Sequence, residues 1–253
     1  MNRTVVTPLR RPGQSGQSGQ PRQPGRSGSA RPGRARKTVA LGNSTAPDGL
    51  AARLFLLSWD PAKGKLRGQA KLGKLLRAAV LIDLQLNGNV ADDNGRARVT
   101  TAAAPTDPVQ AAVLEELRAV GPRRWRHWID RRTHTTVRMV RDELARAGLI
   151  KVEPRRVLGI FPAARITVRH PLVRRQLLNA AHDTLRPSRL VSRVDLRDAS
   201  IAVLAATADL RIVISKEQRL RHKDRLAQLA VRVGPVVPVL KKSLQQSQYS
   251  AGG

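Results

Sequence analysis

Apolar residues recur at helical spacing over most of the chain, and the pattern begins near Leu50. The run Leu54-Phe55-Leu56-Leu57 leads into a turn at Asp60-Pro61 and Lys63-Gly64. From about Gln69 to Leu86 the spacing predicts a helix whose second half, Ala78-Ala79-Val80-Leu81-Ile82-Asp83-Leu84, is apolar on nearly every side. Such a helix is enclosed by others, so it is expected at the centre of a bundle. Gly88 ends it, and Asp93-Asn94-Gly95 signals the tight turn of a short hairpin closing near Val99. Asp107-Pro108 reads as an N-cap followed by proline at the first helical position. It opens an amphipathic helix with Val109, Val113, Leu114, Leu117 and Val120 on one face. Two further helices are expected over 124–131 and 136–147, the second stopping at Gly148. Alternation over 150–168 predicts a second hairpin. Four more helices follow near 171–185, 195–209, 216–231 and 235–245. The predicted fold class is all-α: a mostly helical bundle around a buried central helix, with two short β-hairpins.

The first 47 residues break this pattern. They are rich in Gly, Pro, Gln, Ser and Arg, as in Gln14-Ser15-Gly16-Gln17-Ser18-Gly19-Gln20, and hold nine basic residues and no acidic one. So little apolar surface cannot offset the entropy of ordering, and 1–47 is expected to be a disordered basic tail. The folded domain is then 48–245, with 246–253 as a flexible C-terminal tail. A chain of 253 residues, 41% of them apolar, suffices for one sizeable core. No apolar run approaches the roughly 20 residues of a membrane span, and no apolar signal-peptide core follows the basic N-terminus. Membrane contact is therefore expected to be peripheral. Cysteine is absent, which removes disulfides, thiolate catalysis and most zinc sites and suits a reducing cytoplasm.

Charge changes the picture more. The formal net charge is +29, a field that attracts phosphate-bearing partners or acidic membrane surfaces from a distance. Arginine supplies 37 of the 47 basic side chains, and its planar fork grips phosphate bidentately. Arg67, Lys71, Lys74 and Arg77 are spaced four, three and three, which confines them to an arc of about 120° on one helix. Arg123, Arg124, Arg126, Arg131, Arg132, Arg138 and Arg141 follow with only Asp130 and Asp142 close among them. Arg77, at the end of the arc, is expected to keep its guanidinium near water and to meet Arg138 and Arg141 around one phosphate. The candidate anion-binding residues are Arg77, Lys74, Arg67, Arg138 and Arg141.

Trp125 and Trp128 are read either as core or as an interfacial anchor. Val157, Leu158, Ile160 and Phe161, flanked by Arg155, Arg156 and Arg165, have the layout of a membrane-inserting hairpin tip; a buried strand is the alternative. Catalytic patterns are missing. The five histidines never pair at metal-ligand spacing around a glutamate, no Gly-rich phosphate loop ends in lysine, and Ser58 and Ser215 lack nucleophile-elbow glycines. No catalytic residue, metal or cofactor is expected.

Five blocks resemble the Golgi phosphoprotein 3 family, whose bacterial members are common in actinobacteria. They are Leu54-Phe55-Leu56-Leu57 with its Gly-containing turn, Arg77-Ala-Ala-Val-Leu-Ile-Asp-Leu-Gln-Leu-Asn-Gly-Asn-Val90, Asp107-Pro108, Val140-Arg-Asp-Glu-Leu-Ala-Arg-Ala-Gly-Leu-Ile150 and Val157-Leu-Gly-Ile-Phe-Pro162. The resemblance runs from about residue 50 to 240. It implies a helical domain that binds phosphatidylinositol 4-phosphate through a basic pocket and inserts an apolar hairpin into the bilayer, with Arg77 on the family's lipid-contacting arginine. A family tryptophan nine residues earlier is Gly68 here. The family's Arg-x-x-Arg aligns with His134 and Val137, and Arg138 and Arg141 repeat its spacing one turn on. The expected function is that of a cytoplasmic, peripherally membrane-associated binding protein for anionic phospholipid headgroups, with client membrane proteins as further candidate partners. The rival is a winged-helix-like nucleic-acid binder using the basic helix 136–147 and the hairpin after it.

Overall fold

A computed structural model of the chain describes residues 45–157 and 161–249, with the backbone alone for 155–157 and 161–163. The tail expected over 1–47 falls outside the described residues as far as residue 44, as do Leu158, Ile160 and the side chains of Val157 and Phe161.

The apolar run of 78–84 forms the second half of the central helix. In chain order the elements begin with α1 (Leu50–Ser58), β1 (Trp59–Asp60), β2 (Lys65–Leu66) and the central α2 (Gln69–Leu86). Then come β3 (Val90–Asp93), β4 (Arg96–Val99), α3 (Pro108–Val120), β5 (Arg123–Arg124), α4 (Trp125–Asp130) and α5 (Thr133–Arg146). The second half holds β6 (Ile150–Val157), β7 (Phe161–Val168), α6 (Pro171–Asp183), a 3-10 turn at Val191–Arg193, α7 (Leu196–Thr207), α8 (Lys216–Arg221), α9 (Lys223–Val233) and α10 (Val236–Tyr249). The fold is mostly helical, as expected, with small antiparallel sheets. α1, α3, α4, α5, α7 and α10 all pack on α2, and Leu76, Ala78, Ala79, Leu81, Ile82 and Leu84 are fully buried among them. That explains why the run is apolar all round.

Local chemistry accounts for the boundaries. Asp107 caps α3 by accepting from the N–H groups of Val109 and Gln110, with Pro108 at the first turn. The β3–β4 hairpin turns on Asn94 and Gly95, both at positive φ (51° and 78°), the requirement of a type I′ turn. Gly148 (φ 71°) ends α5.

Several boundaries differ from the expectation. A third hairpin, β1–β2, pairs Trp59 with Leu66 and Asp60 with Lys65, and β5 adds a strand to β3–β4. The helix expected over 216–231 is two, α8 and α9, which meet at His222. α10 continues to Tyr249, so residues 246–249 of the expected flexible tail are helical. The hydroxyl of Ser247, in that last turn, accepts from Lys74 Nζ at 2.6 Å.

Candidate functional site

The four cations of the 67–77 arc do not form an open face. Arg67 precedes α2 and binds Asp60 at 2.8 Å beside the first hairpin. Its guanidinium is the main reason that the Asp60 carboxyl lies below the usual range. Lys74 bridges α4 and α10: its ammonium meets Asp130 at 2.8 Å and the hydroxyls of Ser243 and Ser247. Arg77 is 1% exposed, which corrects the expectation that it stays near water. Its Nε donates to the Trp128 carbonyl of α4 at 2.9 Å, Nη1 reaches Thr136 Oγ1 of α5 at 3.5 Å, and Nη2 binds Glu116 of α3 at 2.6 Å. Burial lowers the guanidinium's pKa, and Glu116 opposes that fall. The physical reason is the central place of α2. α3, α4 and α5 each bring an acceptor to it, so a basic residue directly before the apolar segment finds a carboxylate, a backbone carbonyl and a hydroxyl before it finds water.

Arg138 and Arg141 lie on α5 and do not join Arg77. Arg138 is exposed, and Arg141 pairs with Asp142 at 2.7 Å. The cations whose fields reach Arg77 are Arg131 and Arg132. Trp125 and Trp128 are core, 1% and 0% exposed. The Trp125 indole donates to Asp92 of β3.

With Trp125, Trp128 and Ile129 turned inward, α4 presents its basic residues outward. Arg124, Arg126, His127 and Arg131 surround an open cavity of about 510 Å³ with Asp130 as its one acid. A neighbouring cavity of about 460 Å³ shares Arg124 and Arg126 and continues along α10 to Lys242 and Tyr249. Three guanidinium groups thus face one carboxylate, which Lys74 already neutralises from behind. Burial works to raise the Asp130 pKa, but hydrogen bonds from Lys74, Ser243 and Arg126 outweigh it, so the carboxyl titrates below its ordinary range. Arg131 Nε is buried without an acceptor among the described residues. Arg96 and Arg124 stand directly opposite each other in the β4–β5 ladder, a like-charge pairing that costs stability unless an anion sits between or beside the two. Arg124, Arg126 and Arg131 were not among the candidates chosen from sequence. The signal was present: Trp125, Trp128 and Ile129 are spaced i, i+3, i+4, which marks the buried stripe and leaves these arginines outside it.

Among the described residues no helix is long and apolar enough to cross a membrane. No curated protein matches the chain. The description of Golgi phosphoprotein 3 (GPP34) matches residues 50–247, which takes in every element from α1 to most of α10, and on that match the chain belongs to the Golgi phosphoprotein 3 family.

Proposed function

We propose that the protein is a peripheral membrane protein that holds anionic phospholipid headgroups, phosphatidylinositol 4-phosphate among them, on the basic face built by Arg124, Arg126 and Arg131. The supporting observation is the charge balance of that face: three arginines around one carboxylate that is already paired. Arg126 engages Asp130 through Nε at 3.2 Å, and phosphate oxygens would supply acceptors for the other N–H groups of the three forks. Arg77 and Lys74 act as positioning residues, since both tie α4 to its neighbours. Family membership agrees with lipid binding and with a binding role in place of catalysis.

The nucleic-acid reading has a helix followed by a hairpin, α5 then β6–β7, in the order of a recognition helix and wing. Its charge is poor. On the outer side of α5, Arg141 pairs with Asp142 and Arg146 with Glu143, which leaves Arg138 there without an ion pair among the described residues. The hairpin cations Arg155, Arg156 and Arg165 would therefore have to carry most of the grip on a phosphate backbone.

Co-sedimentation with vesicles of phosphatidylcholine alone, with phosphatidylserine, and with phosphatidylinositol 4-phosphate, beside a duplex-DNA gel shift at equal salt, tests this. Charge-assisted hydrogen bonds are worth about 1.5–3 kcal/mol each. Arg124→Ala with Arg126→Ala should therefore weaken binding to acidic vesicles by about tenfold or more at unchanged melting temperature. Arg77→Ala should act differently, costing about 2–5 kcal/mol of stability because it empties a buried site and leaves Glu116 to the longer contact with Arg132 at 3.6 Å. Tighter binding to DNA than to any vesicle, or no effect of the double variant, overturns the proposal.

A further inference from the structure

A second concavity, of about 510 Å³, lies between α7, α9 and α10 and shares no lining residue with the basic cavities. Its floor is apolar and mostly small: Val203 and Ala206 from α7, Leu226, Ala227 and Ala230 from α9, and Val237 from α10. Alanines at three of these positions keep the helices from filling the space between them. The apolar strip runs on beyond the groove, where Val231, one turn after Ala227, is 82% exposed. Val203, Ala206, Leu226 and Val237 are themselves buried at the bottom of the groove, so the apolar surface open to a partner is that of Ala227 and Ala230 with Val231 beside them.

The rim has the opposite character. Arg219 and Lys223 stand on the α8–α9 wall and Lys241 on the α10 wall, and among the described residues no aspartate or glutamate lines the groove. Arg219 is partly satisfied by Asp209 at 2.8 Å. Lys223 and Lys241 make no ion pair among the described residues. Cations on both walls of an apolar floor are the mirror of one particular ligand surface: a helix with an apolar stripe and acids on either side of it. A single anionic headgroup needs a cation at one end only, and a flat bilayer does not enter a trough between helices. From Lys223 to Ala230 the floor follows α9 for seven residues, about 10 Å, the length over which a docked helix presents anchors at i, i+3 or i+4, and i+7.

We infer that this groove docks an acidic amphipathic helix of a partner protein. A second copy of the chain is a poor occupant, because it carries the same formal +29 and the same cationic rim. The chain's own first 44 residues are equally unsuited, with nine basic residues and no acid.

Fluorescence anisotropy with the full chain tests the inference. The probe is a labelled model peptide of about 18 residues, five turns, with a leucine stripe flanked on both sides by glutamate. Its controls are a scramble of the same composition and a version with lysine for every glutamate. The acidic amphipathic peptide should bind, and the scramble and the lysine version should not. Ala227→Trp, which fills the floor from an exposed position, should raise the Kd about tenfold or more. Lys223→Glu with Lys241→Glu should abolish binding and create affinity for the lysine peptide, a swap that loss of folding cannot mimic. Should Ala227→Trp melt early, that charge swap decides alone. Equal binding of the scramble, or a loss seen only with Arg124→Ala and Arg126→Ala, overturns the inference by making the attraction diffuse or placing it on the other face. A fall in vesicle binding on Ala227→Trp with no peptide binding also overturns it, and assigns the groove to lipid.

Discussion

Gly73 lies within α2, where glycine ordinarily costs about 1 kcal/mol relative to alanine. A β-carbon there would stand 2.7 Å from Thr133 Cβ and 3.1 Å from that residue's carbonyl carbon and oxygen. Thr133 opens α5, so the obstacle is backbone that cannot step aside, and the glycine allows the two helices to cross closely. Gly73→Ala is expected to destabilise by about 1–3 kcal/mol in urea unfolding; the gain that helix propensity alone predicts would mean that the crossing is loose. Asp83 is a second residue whose role is tertiary. It is fully buried, accepts the Leu50 N–H at 2.7 Å and so caps α1, which has Gly49 and no side-chain cap of its own, and it pairs with Arg197 of α7. Burial pushes its carboxyl up to about 6, against the pull of those two partners. Because the folded value lies above the ordinary 3.8, its contribution to stability is complete below that value and is lost as pH rises through about 6. Asp60 and Asp130 are shifted the other way, so the comparison to make is with Asp83→Asn. The stability of the unaltered protein relative to that variant should fall between about pH 4 and pH 7 and then level off. A constant gap across denaturant titrations in that range would refute the assignment.

At the scale of elements, signals that use one residue type for one backbone need were legible in advance. Asn94-Gly95 specified its hairpin, Asp107-Pro108 its helix start and Gly148 its helix end. The β1–β2 and β5 strands are two residues each, too short for any periodicity, and they exist because neighbouring chain supplies a ladder partner. The β6–β7 hairpin pairs from Ile150 with Val168 to Val157 with Phe161. It is anchored near its base by the Trp59 indole, which donates to the Ile166 carbonyl. Its apolar tip remains the candidate for membrane insertion on sequence grounds. Leu158→Ser with Phe161→Ser should weaken binding to acidic vesicles at an unchanged melting temperature. A large fall in melting temperature would instead identify these side chains as core.

For the whole molecule, the balance of charge dominates. Nine of the basic residues lie in the first 47, and the remainder of the chain still carries +20 of the +29. A field of that size speeds encounter with any acidic surface and is screened within about 8 Å at physiological salt. Deleting residues 1–47 is expected to leave the melting temperature nearly unchanged, because their composition offers little to bury. It should lower vesicle binding most at low salt, where the lost charges act over the longest range. A drop of many degrees in a thermal melt would show that the segment stabilises the domain.

The sequence by itself determined the helical class, the central buried helix, the capped and turned ends of individual elements and the basic character of the surface, because each rests on residues close together in the chain. Only the tertiary structure decided which cations are turned onto acids of other elements and which line an open cavity. Arg77, Lys74 and Arg67 carry the same charge as Arg124, Arg126 and Arg131, but Glu116, Asp130 and Asp60 reach the first three from other elements. The second three line an open cavity around Asp130, which Lys74 and Arg126 both engage. Charge is written in the sequence; its neutralisation depends on partners 7 to 56 residues away along the chain, and those meet only when the helices pack.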